Sequence, residues 1–206
     1  MSVKAVVFDI GNVLIEWNPE RFFDAQIGAA RRAEMFAAVD LHAMNERVDL
    51  GEPFRPQVMA LAEAHPDWAS EIALWHDRWI EMASPAIPRS VRLLRALRAR
   101  GVPVFALSNF GVETFAIAEA HYPFFAEFDA RFVSGHLRMA KPEAPIYAAL
   151  ERGTGMAPEN LLFTDDRADN IAAAQARGWQ VHHFTGSDGL AERLVVEGLL
   201  TEAEAA

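Results

Sequence analysis

The chain has 206 residues, of which 51% are hydrophobic and 23% charged, a composition typical of a globular protein with one sizeable core. Its formal net charge of -10 argues against polyanionic partners, so neither nucleic acid nor an anionic membrane surface is expected to bind. The absence of cysteine excludes disulfides, thiolate metal sites and cysteine nucleophiles. With no leader peptide and no apolar run near the ~18 residues of a membrane span, a cytoplasmic protein is expected.

The first predicted element is a buried strand close to the N-terminus, within residues 6–14. Its apolar run is interrupted by Asp9 and then by Gly11. A short, continuously apolar segment of this kind is typical of a parallel strand covered on both faces. Ligands in open α/β sheets bind beyond the carboxyl ends of the strands, so Asp9 is a candidate functional residue.

Residues 18–82 follow a different pattern, because apolar residues recur at helical spacing and β-branched residues almost disappear. Breaks are predicted near Gly28, within residues 51–56 and at His65-Pro66. Four helices are indicated, by Phe22, Phe23 and Ile27; by Met35, Phe36 and Val39; by Val58, Met59, Leu61 and Ala62; and by Trp68, Ile72, Trp75, Trp79 and Ile80.

From Pro85 onward, strand-like and helix-like segments alternate with short connections. Helices are predicted at residues 90–100, 112–120, 144–151, 171–177 and 190–200, and strands at 102–107, 131–133, 161–163 and 181–184. The Glu/Ala tail after residue 200 is expected to be frayed. Such alternation predicts a parallel sheet flanked by helices.

The predicted fold class is therefore α/β, a doubly wound, Rossmann-like parallel sheet with an inserted all-helical cap. The expected division is an α/β core from residues 1–15 and 86–206, with residues 16–85 forming the cap.

Polar residues stand at the ends of three apolar strands: Asp9, Ser108-Asn109 and Asp165-Asp166. In a parallel sheet these ends share one edge and converge on one crevice. Lys141 follows a short strand and precedes a proline and a helix start. Carboxylates are ligands that suit Mg²⁺, while a lysine and strand-end amides suit a phosphoryl group.

The order of these residues resembles the haloacid dehalogenase-like (HAD) hydrolase superfamily, over essentially the whole chain. Residues 8–14, 107–109, 141–143 and 163–170 carry the resemblance, and the helical insert stands where subfamily I members have their cap. The pattern is most similar to small bacterial sugar-phosphate phosphatases, such as those that act on glucose 1-phosphate.

The resemblance implies a mechanism in which Asp9 attacks phosphorus and forms an aspartyl-phosphate that water hydrolyses. It implies Mg²⁺ held by Asp9, by the backbone carbonyl of Gly11 and by Asp166, with Asp165 nearby. The groups expected to hold the phosphoryl oxygens are Ser108, the amides at Asn12 and Asn109, and the Lys141 ammonium. Asp169 is expected to orient Lys141 or a water on the metal.

Gly11 departs from the pattern of most phosphatases in the superfamily, which have a second aspartate there as general acid/base. Losing such a group typically costs ~10² to 10⁴ in rate. Four residues in or beside the insert are hypothetical replacements: Glu16, His42, Glu46 and Asp49. The leaving group is expected to contact cap side chains, with Trp17, Phe22, Phe23, His42, Arg47 and Trp79 as candidates.

Two alternatives to a phosphatase remain open from the sequence. A metal-independent 2-haloacid dehalogenase would also lack the second aspartate, although the adjacent Asp165 and Asp166 would repel Asp9 strongly without a cation. A non-catalytic phosphosugar-binding protein is the other alternative. The expected partner is a small phosphate ester, and the protein is expected to be a monomer or a homodimer.

Overall fold

A computed structural model of the chain describes residues 2–206. Its sheet has five parallel strands in the order β3-β2-β1-β4-β5, which confirms the predicted α/β class. The strands are β1 (Ala5–Phe8), β2 (Val104–Ser108), β3 (Ala130–Val133), β4 (Leu161–Asp165) and β5 (Gln180–His183).

Helices fill most of the remaining chain, and three further short segments form 3₁₀ turns. The helices are α1 (Pro19–Ile27), α2 (Ala29–Ala38), α3 (Leu41–Asp49), α4 (Phe54–Ala64), α5 (Ala69–Asp77), α6 (Trp79–Met82), α7 (Pro88–Ala99), α8 (Val112–His121), α9 (Ser134–Leu137), α10 (Ala144–Thr154), α11 (Ala168–Ala176), α12 (Ser187–Val196) and α13 (Glu202–Ala205). Within residues 2–206, none of them combines the length and apolarity that crossing a membrane would require.

Strand β1 is entirely buried and lies at the centre of the sheet, between β2 and β4. Its side chains alternate between two cores, as the period of a strand requires: Val6 and Phe8 belong to one cluster, Ala5 and Val7 to the other. Helices α7, α8 and α12 contribute to the first core, and α10 and α11 to the second. The sheet is therefore covered on both faces, which explains why the three central strands β1, β2 and β4 are almost continuously apolar.

Helices α1–α6, which we call the helical insert, separate β1 from α7. Phe23, Met35 and Trp75 are among the fully buried apolar side chains of the insert, and they belong to the same cluster as the core on one face of the sheet. The helix predicted from Trp68 to Ile80 is broken, because Arg78 leaves helical geometry between α5 and α6.

Three helices were not expected from the sequence, and they are α3, the short α9 and α13. Helix α3 carries apolar residues at Leu41, Met44 and Val48 and is capped by Asp40, whose side chain accepts a hydrogen bond from the Ala43 N–H at 2.9 Å. The prediction of a frayed tail is wrong, because Thr201 and Glu204 form a capping box at the start of α13. Both caps were visible in the sequence.

The strand register brings the functional candidates to one edge of the sheet. Phe8 of β1 pairs with Ala106 of β2 on one side and with Thr164 of β4 on the other. Asp9 therefore emerges between Ser108 and Asp165, and its N–H donates to the Thr164 carbonyl at 2.9 Å. The chain runs outward from β1 to β2 and β3 and then crosses to β4 on the other side of β1. This edge is therefore the topological switch point at which α/β sheets bind ligands.

Candidate active site

Asp9 is the centre of a buried polar network. Its Oδ1 accepts hydrogen bonds from the Ile10 N–H at 2.7 Å and from Ser108 Oγ at 2.6 Å, and lies 2.9 Å from Lys141 Nζ. Burial raises the pKa of Asp9 to about 7, against the opposing effect of the Lys141 ammonium. Within residues 2–206, all of these donors contact Oδ1. The lone pairs of Oδ2 therefore remain available to bind a cation or to attack an electrophile.

Lys141 is held between two carboxylates although only 5% of the residue is exposed. Its ammonium group lies 2.9 Å from Asp9 Oδ1 and donates to Asp165 Oδ2 at 2.6 Å. Burial alone would lower the pKa of the ammonium, but the two carboxylates outweigh this effect and raise it. Lys141 therefore stays charged in the core.

Asn109 fixes the backbone that carries this lysine. Its amide Nδ2 donates to the Lys141 carbonyl at 2.9 Å, and its Oδ1 accepts from the Lys141 N–H at 2.9 Å. The loop after β2 and the loop that carries Lys141 are thus joined by two hydrogen bonds.

Three carboxylates meet at this end of the sheet. Asp9, Asp165 and Asp166 each offer an oxygen, and the three oxygens lie within 4.8 Å of one another. Asp165 is fully buried and accepts hydrogen bonds from the Arg167 N–H at 2.8 Å and from Asn170 Nδ2 at 3.0 Å. Asp166 is half-buried and borders the cavity described below. This donor set fits a hard divalent cation such as Mg²⁺.

Asn12 links the loop after β1 to the acidic pair. Its Nδ2 donates to Asp166 Oδ2 at 3.0 Å, and its Oδ1 accepts from the Trp17 N–H at 3.0 Å. Its φ of 54° lies in the left-handed region, which asparagine tolerates better than most residues. The backbone of Gly11 borders the same cavity.

A cavity of about 540 Å³ opens above these groups. The end of the sheet forms its floor, while α3 forms a polar wall with Asn45, Glu46 and Asp49. Trp17, Trp79 and Phe110 form an aromatic wall, in which the ring of Trp79 packs against the other two at 5.8 and 5.5 Å. The cavity has the size and mixed lining of a small-molecule site.

Asp49 is a carboxylate of the α3 wall whose pKa is shifted by its surroundings. It is half-buried, and burial raises its pKa to about 7. A carboxyl group that titrates near neutrality inside a cavity is a candidate for proton transfer.

Some candidates from the sequence lie outside the cavity lining. Glu16 pairs with Arg21, and Arg47 hydrogen-bonds Gln57 at 3.0 Å. Phe22 and Phe23 are buried in the core of the insert. Trp17, His42 and Trp79 do line the cavity, together with Glu46 and Asp49.

The expectation that Asp169 orients Lys141 is not met in this structure. Asp169 is exposed and pairs with Arg167 at 2.7 Å, whereas Lys141 is oriented by Asp9 and Asp165. The neighbouring Asn170 is buried and donates to Asp165, a role that sequence reasoning missed. Its position in the first turn of the helix that follows the strand, five residues after Asp165, could have indicated it.

Comparisons with known proteins show which family the chain is similar to. Residues 3–178 match the family model of the haloacid dehalogenase-like hydrolases. A sesquiterpene phosphatase from Aspergillus oryzae is 29% identical over 192 residues, covering 90% of this chain and 92% of that protein.

Solved structures share the fold at lower identity. An HAD family enzyme from Bacteroides thetaiotaomicron is 22% identical with a TM-score of 0.70, covering 88% of this chain and 93% of that one. The same enzyme in complex with magnesium and inorganic phosphate is 23% identical, with a TM-score of 0.65 and the same coverage. An L-2-haloacid dehalogenase from Xanthobacter autotrophicus is 20% identical with a TM-score of 0.63, covering 98% of this chain and 86% of that one.

Proposed function

The chain belongs to the haloacid dehalogenase-like hydrolases, and within this family we propose that it is a Mg²⁺-dependent phosphatase of a small phosphorylated metabolite. The observation that carries the proposal is the meeting of three carboxylate oxygens within 4.8 Å, from Asp9, Asp165 and Asp166. The Lys141 ammonium offsets only part of the charge of these three carboxylates, so a divalent cation would relieve the repulsion that remains. A halide leaving group needs no such cation, whereas a phosphate ester benefits from one.

The proposed nucleophile is Asp9. Its carboxylate attacks phosphorus in line with the leaving oxygen and forms an aspartyl-phosphate, which water then hydrolyses. Ser108, the Lys141 ammonium and the backbone N–H groups of Asn12 and Asn109 hold the phosphoryl oxygens. The Asn12 N–H donates to the Ile15 carbonyl at 2.7 Å and would exchange that hydrogen bond for one to the phosphoryl group. The contacts of Ser108 and Lys141 with Asp9 Oδ1, at 2.6 and 2.9 Å, support this assignment because they place donors beside the nucleophile.

The proposed holders of Mg²⁺ are Asp9, the backbone carbonyl of Gly11 and Asp166, with Asp165 close by. Bound there, the metal would offset the negative charges of nucleophile and phosphoryl group. Asp165 acts chiefly on Lys141, since Asn170 and the Arg167 N–H already occupy much of its hydrogen-bonding capacity.

We propose that residues 16–85 act as a cap that selects the leaving group, with a sugar phosphate as the substrate class. The polar wall of Asn45, Glu46 and Asp49 supports a hydroxylated leaving group, because these side chains accept hydrogen bonds from hydroxyls. The same acidic wall disfavours a leaving group that carries a second phosphate or a carboxylate.

A terpenyl phosphate is the second candidate substrate. The aromatic wall of Trp17, Trp79 and Phe110 favours an apolar leaving group, and the Aspergillus oryzae relative is named as a sesquiterpene phosphatase.

The test is a screen of sugar phosphates, terpenyl phosphates and 2-haloacids, each with Mg²⁺ and with EDTA. We expect release of phosphate only with Mg²⁺, and loss of that activity in Asp9→Asn. Asp188→Asn is the matched control, because it makes the same chemical change at an exposed surface residue. Dehalogenation that survives EDTA would refute the proposal, and so would the absence of any turnover dependent on Asp9.

A further inference from the structure

Hydrolysis of a phosphate ester needs two proton transfers, and Gly11 has no side chain that could carry them out. The leaving oxygen must gain a proton when its bond to phosphorus breaks, and the attacking water must lose one in the second step. The required group must border the cavity, yet be distinct from the carboxylates assigned to the metal. The remaining acid/base candidates among the cavity residues are His42, Glu46, Asp49 and Glu143.

Asp49 differs from the other three because its side chain is fixed. His42, Glu46 and Glu143 are exposed, whereas Asp49 is half-buried and its Oδ2 accepts a hydrogen bond from Asn45 Nδ2 at 2.9 Å. The Asn45 Oδ1 accepts in turn from the Trp75 indole N–H at 3.3 Å. Since the indole can only donate, Asn45 must present its NH₂ group to Asp49.

The backbone of Asp49 is attached to the loop that follows Ser108. Ser134 Oγ donates to the Asp49 carbonyl at 2.5 Å and accepts from the Phe110 N–H at 2.8 Å. The adjacent Gly111 allows this contact, because a Cβ there would lie 2.6 Å from Val48 Cγ1. The end of α3 is thus held at a constant position relative to the Ser108 loop.

From this placement we infer that Asp49 supplies the acid/base function that is missing at Gly11, an inference that rests on the proposed phosphatase activity. In the first step, Asp9 forms a bond to phosphorus, the bond to the leaving oxygen breaks, and that oxygen takes the proton of the Asp49 carboxyl group. In the second step, the Asp49 carboxylate takes a proton from water as the water oxygen attacks phosphorus. The bond between Asp9 and phosphorus then breaks, which releases inorganic phosphate and restores both aspartates.

The electrostatic surroundings of Asp49 support this assignment. Burial raises its pKa to about 7, the Gly111 N–H opposes the shift, and the carboxylates of Glu46 and Asp9 add to it. Both protonation states are therefore populated near neutral pH, as a group that acts first as acid and then as base requires.

The experiment uses p-nitrophenyl phosphate, whose leaving group departs without protonation, and follows nitrophenolate and phosphate release separately. In Asp49→Asn we expect nitrophenolate release in the first turnover to stay within about threefold of wild type, while phosphate release slows by ~10² to 10⁴. A burst of nitrophenolate equal in amount to the enzyme should follow, with the phosphorylated chain visible by intact mass. Asp49→Glu should recover part of the slow step.

Two further variants separate catalysis from folding. Asp40→Asn makes the same change at the exposed start of α3, where asparagine caps a helix equally well, and should behave as wild type. Glu46→Gln tests the neighbouring carboxylate of the same wall.

The outcomes are distinct. If both steps slow equally in Asp49→Asn and no phosphoenzyme accumulates, the acid/base role of Asp49 is refuted and its role is structural. A phosphoenzyme that accumulates in Glu46→Gln instead would transfer the function to Glu46. If the wild type hydrolyses neither this probe nor any other phosphate ester, the proposed phosphatase itself is refuted.

Discussion

The ammonium group of Lys141 lies 2.6 Å from Asp165 Oδ2, and the two side chains are 1% and 0% exposed. An ion pair this deep is costly to break, because removing one partner leaves a charge without water or counter-ion. The same ammonium group reaches Asp9 at 2.9 Å. Lys141 thus offsets two buried negative charges, and we expect the stability of the fold to depend on it.

Lys141→Met should destabilise the protein by about 3–5 kcal/mol in EDTA, because Asp9 and Asp165 lose their shared cation. Urea unfolding measures the change. Lys4, the other lysine of the chain, is exposed, so Lys4→Met is the control and should have little effect. If Lys141→Met proves as stable as wild type, the ammonium group does not stabilise the buried carboxylates.

Asp166→Asn should weaken Mg²⁺ binding by more than about tenfold, because it removes a charged ligand while keeping the side chain's shape. The measurement is the rise of the melting temperature with added Mg²⁺, which depends on metal affinity. We expect a clear rise in wild type and little in the variant. An unchanged Mg²⁺ response would exclude Asp166 from the metal site.

Asn170→Ala should lower activity or metal affinity by about 10–100-fold, the usual effect of removing a group that orients a functional side chain. It removes the Nδ2 donor to Asp165 at 3.0 Å. Asp169→Asn, next along the chain but paired with Arg167, should stay within about threefold of wild type in Mg²⁺-dependent turnover. A larger loss in Asp169→Asn than in Asn170→Ala would restore the expectation drawn from the sequence.

Gly51→Ala should be more destabilising than Gly155→Ala. Both glycines have positive φ, 94° and 66°, and an alanine in the left-handed region costs about 1–2 kcal/mol. Only at Gly51 would the added Cβ meet backbone, 2.6 Å from the Gly135 carbonyl oxygen, whereas nothing lies within 4 Å of it at Gly155. The difference in melting temperature between the two variants measures the cost of the clash. Equal losses of stability would show that the backbone after α3 moves enough to accommodate the Cβ.

Glu151→Gln should change how stability depends on pH. Burial opposes ionisation of Glu151, but its hydrogen bonds from Arg177 at 2.6 Å and from the Trp179 indole at 2.8 Å prevail and lower its pKa. A depressed pKa stabilises the fold above the usual glutamate value of about 4.3, and this contribution disappears as the pH falls through the folded-state pKa.

Wild type should therefore exceed Glu151→Gln in stability at neutral pH, and the difference should shrink below about pH 4. Denaturant unfolding across pH measures it. Glu197→Gln, which removes a surface ion pair with Arg193 at 2.9 Å, is the control for losing a carboxylate alone. A gap between wild type and Glu151→Gln that stays constant with pH would contradict the prediction.

The sheet and its polar edge could be predicted because they depend on local pattern. Apolar strands that end in Asp9, Ser108 and Asp165 must converge once the sheet is parallel, and the observed register joins them. Lys141 was expected near the edge, but its two ion pairs depend on side-chain packing between β1 and β4 and could not be derived.

The insert was less predictable, because its helices owe their positions to tertiary packing rather than to sequence period. Asp49 and Arg47 occupy the same helix, yet only Asp49 borders the cavity. Amphipathic spacing alone does not say which turn of α3 meets the Ser108 loop. That contact depends on Gly111 and Ser134, which are distant in sequence from α3.

The side chain of Asn109 behaves as an additional peptide group. By donating to and accepting from the backbone of Lys141, a residue 32 positions away, it extends the sheet's own pattern of paired N–H and carbonyl groups into two loops. Ser108 and Lys141 are consequently joined by hydrogen bonds to which no residue of the insert contributes. Under the proposed function, leaving-group preference could then be changed through the cavity walls while Ser108 and Lys141 keep their positions around the phosphoryl group.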